Sequence, residues 1–187
     1  MNLRIISGDY KGRRISLRNG QVTFRPTKDR VRQSLADMVM ERLPGARVAD
    51  FCAGSGAFGM ELISRGAAEA HFVECDRVLA GRISECVREL GIAGRCRVFT
   101  KDIRSFVREC SLSYDIIFYD PPYENEALAG LAPALVPLVS KGGLVLYEYS
   151  TQRKKKAQTH LIAEADGMNV ETKTYGDTAV DVCRRMT

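Results

Sequence analysis

The chain has no run of about 18 apolar residues, which argues against a membrane-spanning helix. Its opening, Met1-Asn2-Leu3-Arg4-Ile5, lacks the apolar stretch of a secretory signal, so a cytoplasmic protein without membrane attachment is expected. No two of the six cysteines have C-x-x-C spacing, and His71 and His160 stand in no ligand-like cluster. A zinc site is therefore not expected, nor any other metal. Most of the cysteines lie inside apolar segments, where a thiol behaves as a small hydrophobe, and reduced thiols are expected in the cytoplasm. No internal repeat or low-complexity segment is present, which argues against a solenoid.

What is present suits one compact domain with a small appendage, expected as a monomer: 187 residues, 45% of them apolar. Net charge is only +5, but acids are scarce at the N-terminus. Residues 1–35 hold nine basic side chains against Asp9 and Asp29, which gives +7 there and leaves −2 for the rest. A solvated face and a polyanion-binding surface both fit this run. Its separation from the strand–helix pattern that follows favours the second.

Residues 3–17 alternate around Gly8-Asp9-Tyr10-Lys11-Gly12, which predicts a hairpin of Leu3–Ile6 against Arg14–Leu17. After Arg25-Pro26, Thr27 is placed to cap a helix with Val31, Leu35, Val39 and Leu43 on one face, ending at Pro44-Gly45. From residue 47 strands and helices alternate. Strands are expected at Arg47–Cys52, Ala70–Cys75, Cys96–Thr100, Tyr114–Tyr119 and Leu144–Tyr149. Between them fall helices through Ile63, over Arg77–Leu90 with Val78, Ile83, Val87 and Leu90 inward, from Ile103 to Cys110, and over about 125–138. Asn169–Thr174 and Ala179–Cys183, joined by Tyr175-Gly176-Asp177-Thr178, predict a terminal hairpin. The pattern is α/β: a mostly parallel sheet, antiparallel at the terminal hairpin, with helices on both faces and a small N-terminal β-hairpin extension. The nearly all-apolar Tyr114–Tyr119 is expected at its centre. The run Arg153-Lys154-Lys155-Lys156 can contact phosphate but reads first as a solvated helix start.

Asp50-Phe51-Cys52-Ala53-Gly54-Ser55-Gly56-Ala57-Phe58-Gly59 is the first chemical signal. A strand runs into a glycine turn that opens a helix, so backbone N–H groups can approach a ligand. Gly54, Gly56 and Gly59 satisfy the dinucleotide spacing, and Glu74, twenty residues after Gly54, can accept from ribose hydroxyls of NAD or of S-adenosylmethionine alike. Asp50 tilts the choice: a carboxylate sits badly beside a pyrophosphate but suits ammonium and sulfonium charges. Asp102 in Lys101-Asp102-Ile103 can accept from an adenine amino group or cap a helix, and both roles can hold together. The expected cofactor site is Asp50, Ala53, Gly54, Ser55, Gly56, Glu74, Asp102 and Ile103.

Asp120-Pro121-Pro122-Tyr123 follows the apolar fourth strand. As bare structure it is a strand ending in a proline turn. As chemistry it fits methylation of an exocyclic base amine, whose lone pair is conjugated into the ring and must be aimed. The Asp120 carboxylate and the Pro121 carbonyl can each accept one amine hydrogen, Pro121 and Pro122 stiffen the turn, and Tyr123 offers a stacking face.

In these motifs and others the chain resembles the RsmD family of 16S ribosomal RNA guanine-N2 methyltransferases, almost end to end. The likeness covers Arg4-Ile5-Ile6-Ser7-Gly8, Lys11-Gly12-Arg13-Arg14, Arg25-Pro26-Thr27, Asp29-Arg30-Val31-Arg32, Ala53-Gly54-Ser55-Gly56, Asp120-Pro121-Pro122-Tyr123 and Tyr175-Gly176-Asp177-Thr178. It implies a Rossmann-like class I methyltransferase sheet, S-adenosylmethionine as cofactor, and methyl transfer to guanine N2 of 16S rRNA within the small subunit or an assembly intermediate. It also implies that Arg25 and Thr27 lie at the mouth of the active site. With Arg13, Arg14 and Arg30 they form the expected RNA-contacting set. Residues 1–45 are then the RNA-facing extension and residues 46–187 the methyltransferase domain. One departure is Phe51-Cys52, where the family usually has Leu-Phe, so packing beside the cofactor is expected to be looser.

Three alternatives use part of the same pattern. A DNA adenine-N6 methyltransferase shares Asp-Pro-Pro-Tyr, but such enzymes carry a separate target-recognition region. An NAD-dependent oxidoreductase leaves Asp120–Tyr123 unexplained. A non-catalytic RNA-binding module needs neither Asp50 nor Asp120.

Overall fold

The computed structural model describes residues 2–16, 29–151, 162 and 167–186. Strands β1 (Asn2–Arg4) and β2 (Arg14–Ser16) pair antiparallel; of the hairpin expected from the alternation, Ile5 and Ile6 lie beyond β1, and Leu17 lies outside the described residues. Helix α1 (Asp29–Met38) follows, then a 3-10 turn at Met40–Arg42. Strand β3 is Arg47–Phe51, α2 is Ala57–Ser64, β4 is Glu69–Glu74 and α3 is Arg77–Glu89. Then come β5 (Cys96–Thr100), α4 (Ile103–Glu109), β6 (Tyr114–Tyr119) and α5 (Glu126–Ala129). The chain closes with β7 (Val139–Ser150), β8 (Met168–Tyr175) and β9 (Thr178–Arg185). Arg25, Thr27 and Arg153–Lys156 lie outside the described residues.

Seven strands form one sheet in the order β5-β4-β3-β6-β7-β9-β8. From β5 to β7 every pairing is parallel, whereas β9 runs antiparallel to both β7 and β8. The fold class expected from the sequence is the one observed, with β6 fourth of the seven. The terminal hairpin enters with its second strand innermost, so β8 is the edge. The chain steps outward from β3 to β5, then crosses back to β6. In an open α/β sheet the reversal of winding leaves a crevice beyond the carboxyl ends of the two central strands, here β3 and β6.

Side chains alternate across the sheet with period two. On β6, Ile116 and Phe118 join the core under α1, α2 and α3, while Ile117 and Tyr119 join the core under α4 and the turns after α5. Each fully buried side chain of this size contributes about 1.5–3 kcal/mol. Val31, Leu35, Val39 and Leu43 are all buried, as their spacing requires. Val78 is not: it is 59% exposed. It sits in the first turn of α3, where Asp76 accepts from the Val78 and Leu79 amides and turns that residue outward. The helix expected over about 125–138 is also broken. It stops at Ala129 and resumes as a 3-10 stretch, Ala132–Leu138, because Pro133 and Pro137 supply no amide hydrogen.

The N-terminal hairpin docks on α2 through buried polar groups. Glu61 accepts from the amides of Ile6 and Ser7 at 2.7 and 3.0 Å, and Ser64 Oγ donates to Ser7 O at 2.6 Å. Gly8 is required at this contact. Its φ is +83°, and a Cβ there would fall 1.9 Å from the Ser64 carbonyl oxygen.

Candidate active site

A cleft of about 550 Å³ opens at the carboxyl ends of β3, β4 and β6, where the topology leaves the crevice. Asp50, Ala53, Gly54, Ser55, Glu74, Asp102, Ile103 and Asp120 through Tyr123 all line it. Gly56 does not; it caps α2 with φ +69° and faces Ile83 and Met60. Arg13, Arg14 and Arg30 are exposed elsewhere, with Arg13 donating to Glu89 O at 3.2 Å.

The glycine turn is held by the two acids the sequence singled out. Glu74 Oε2 accepts from Gly54 N at 2.8 Å, and its Oε1 accepts from Asp76 N at 2.9 Å. One carboxylate thereby ties the ends of β3 and β4 together at the cleft wall, which Glu74 lines. Asp50 Oδ2 accepts from Gly59 N at 2.9 Å, one turn into α2. Gly59 permits this approach, since a Cβ there would lie 2.4 Å from the Phe72 ring. Burial pushes the Asp50 carboxyl up to about 7, and the nearby Glu74 charge adds to the rise. Cys52, next in line, adopts φ +59°, a left-handed conformation costing a non-glycine residue about 1–2 kcal/mol.

Asp102 caps α4, accepting from Arg104 N at 2.9 Å, and is gripped by the Arg104 guanidinium at 2.9 and 2.8 Å. That hydrogen bonding holds its carboxyl down at about 2. The capping role is thus realised, and the half-exposed carboxylate still borders the cleft.

Asp120 is placed by its amide, which donates to Phe51 O at 3.4 Å, and the turn closes with Asn125 N on Pro122 O at 3.0 Å. The phenol of Tyr123 donates to Glu148 Oε1 on β7 at 3.0 Å, and Thr178 at the head of β9 bonds the same hydroxyl. Burial and the Glu148 and Asp120 carboxylates push this phenol well above its ordinary range, so it stays a donor. Tyr175, opening the same tail motif, shares a 3.0 Å hydrogen bond with Ser34 on α1. The Tyr175–Thr178 turn therefore joins the N-terminal helix to the Asp120–Tyr123 loop.

Carboxylates dominate the cleft. Asp50, Glu74, Asp102, Asp120 and Glu124 face it, against the cations Arg32 and Lys101, and Lys101 pairs with Glu109. In a dinucleotide site the turn amides cradle a pyrophosphate; here Glu74 and Asp50 already occupy the amides of Gly54 and Gly59. The arrangement accommodates a cationic nucleoside better than a polyanion.

Comparison with known proteins decides the lineage. The family described as conserved hypothetical protein 95 matches residues 3–184. Ribosomal RNA small subunit methyltransferase D of Escherichia coli (strain K12) is 33% identical over 141 residues, spanning 75% of this chain and 68% of that protein. The chain belongs to the RsmD family. The solved Escherichia coli protein yhhF, provisionally designated a methyltransferase, superposes with TM-score 0.82 at 26% identity, covering 100% of this chain and 99% of its own. A hypothetical protein of Thermus thermophilus gives TM-score 0.79 at 29% identity, covering 99% of each chain. The RsmD-family chain thus has the class I methyltransferase sheet that the family resemblance implied.

Sequence reasoning missed three residues of this site. Glu148 and Thr178 meet Tyr123 only through the β7–β9 pairing. Arg32 sits inside a quoted motif but in a basic run, where nothing distinguishes a buried guanidinium from an exposed one.

Proposed function

We propose that this RsmD-family chain is an S-adenosylmethionine-dependent methyltransferase that places a methyl group on the exocyclic N2 of a guanine in small-subunit ribosomal RNA. One observation carries the reading: the glycine turn, Glu74 and Asp120–Tyr123, far apart in sequence, border a single cleft. The name of the Escherichia coli relative supplies the substrate class. The observed donor set fits the cofactor, since an acid-lined cleft suits a nucleoside bearing sulfonium and ammonium groups.

Bound S-adenosylmethionine would supply an electrophilic methyl group. Glu74 would hold the ribose hydroxyls, Asp50 the ammonium, and Asp102 with Ile103 the adenine. The chain's own task is to present the amine. Asp120 and the Pro121 carbonyl each accept one N–H, which turns the nitrogen lone pair outward from the two acceptors. Such alignment of reactants is worth up to about 7–11 kcal/mol. The nitrogen becomes acidic as it gains its fourth bond, so no prior deprotonation is required, and Asp120 stands where the released proton can be taken. Tyr123, its hydroxyl fixed by Glu148, offers its ring to a base drawn out of the stack, a step that costs a few kcal/mol. Residues 1–45, with Arg13, Arg14, Arg25, Thr27 and Arg30, would anchor RNA phosphates.

The test is twofold. Equilibrium binding should detect S-adenosylmethionine and not NAD, and labelled methyl should pass to small ribosomal subunits and not to duplex DNA. NAD binding would return the oxidoreductase reading, and transfer to DNA the adenine-N6 reading.

A further inference from the structure

Arg32 is the one charged side chain of α1 that turns inward. It is 1% exposed, lines the cleft, and lies among the largest fully buried side chains of the protein. Its Nη2 donates to Arg4 O at 2.7 Å and lies 3.1 Å from Asp29 Oδ1. Its Nε and Nη1 are buried with no hydrogen-bond partner among the described residues. A buried guanidinium normally has its donors satisfied, because an unmet N–H forfeits its hydration without return. Folding therefore holds a cation at the cleft wall with donors to spare.

The rest of the cleft says what those donors take. Five carboxylates line it, which serves cationic groups; of the two lining cations, Lys101 is committed to Glu109. S-adenosylmethionine carries one anionic group, its carboxylate, and no acidic side chain can hold that group. We propose that Arg32 binds the cofactor's carboxylate, acting as the anion subsite of a cleft otherwise built for cations. The inference rests on the S-adenosylmethionine reading above. A phosphate of the RNA presents the same oxyanion chemistry, and the experiment separates the two sources.

Calorimetry on the full-length protein compares S-adenosylmethionine with its decarboxylated form, which keeps the sulfonium, amine and adenosine. The wild type is expected to prefer the carboxylated cofactor about tenfold to hundredfold, the range of a hydrogen bond to a charged group. Arg32→Met should erase most of that preference, leaving affinity for the decarboxylated form within about threefold. A wild type that binds both forms equally overturns the inference while leaving the methyltransferase reading standing; a wild type that binds neither overturns the reading itself. Equal loss of both ligands in Arg32→Met reduces Arg32 to a structural strut and overturns the inference. A preference that survives in Arg32→Met while affinity for ribosomal RNA falls assigns the oxyanion to phosphate, again against the proposal. Should Arg32→Met fail to fold, Arg32→Gln is titrated with the same pair: loss of the preference there supports the inference, and a preference kept at the wild-type ratio overturns it.

Discussion

Tyr123 and Glu148, 25 residues apart, meet at 3.0 Å behind the cleft wall, the phenol donating to a carboxylate that is 2% exposed. The loop that presents Asp120 is thus braced on the sheet at its far end. Tyr123→Ala removes both brace and stacking face, and KM for RNA should rise roughly tenfold to hundredfold. Tyr123→Phe keeps the face and loses the brace, so kcat should fall by about tenfold with KM little changed. Steady-state kinetics on small subunits read both. Wild-type values for Tyr123→Ala would remove Tyr123 from the substrate site.

Glu74 spans the ends of β3 and β4, so its replacement acts on the turn as well as on the cofactor. Glu74→Ala should weaken S-adenosylmethionine binding about tenfold to hundredfold, and Glu74→Gln, which keeps an acceptor for one amide, should fall between. Calorimetry decides. Unchanged affinity in both variants would leave Glu74 as a structural tie only.

Asp50 links the site to pH. Its folded-state carboxyl is raised to about 7, so between its ordinary range and about 7 the folded protein holds a proton that the unfolded chain has released. Stability from this group therefore falls as pH rises through that window. Binding of an ammonium beside it runs the other way, since it favours the ionised form. Affinity for S-adenosylmethionine should rise from about pH 5.5 to about 7, a range in which an α-amino group of ordinary pKa about 7.7–8.0 stays charged. In Asp50→Asn the profile should be flat. A wild-type profile that is flat over the same range would take Asp50 away from the ammonium.

Most of the sheet was legible because its parallel strands are rich in apolar residues and two of the central ones end on or beside an acid, at Glu74 and at Asp120. Asp120 and the glycine turn were legible because their chemistry is local to a few consecutive residues. The 125–138 segment misled because apolar spacing continues through Pro133 and Pro137 while the helical hydrogen bonds do not. Strand β7 starts five residues early, at Val139, since Gly142-Gly143 reads as a turn but falls in an irregularity between the pairs Val139–Tyr114 and Leu144–Ile116, which the strand spans. Arg32 and Glu148 escaped for a different reason. A charged residue's burial is a tertiary fact, fixed here by Arg4, Asp29 and Tyr123, and no periodicity announces it.

The N-terminal charge makes a separate prediction. Arg13 and Arg14 are exposed on the hairpin, away from the cleft lining. Replacing both with Ala should weaken RNA binding and flatten its salt dependence by about 0.7 in log–log slope for each phosphate no longer neutralised. S-adenosylmethionine affinity should be unaffected. Identical RNA affinities and slopes would make the hairpin a solvated face.

The central claim is methyl transfer to a guanine amine aimed by Asp120. The direct measurement is nucleoside mass spectrometry of 16S rRNA from small subunits of cells lacking the gene, incubated with S-adenosylmethionine and either wild-type protein or Asp120→Ala. The account predicts one new methylated guanosine that co-elutes with N2-methylguanosine for the wild type, and none for Asp120→Ala although it still binds the cofactor. A methyl group on adenine, or turnover by Asp120→Ala within about tenfold of wild type, would contradict it.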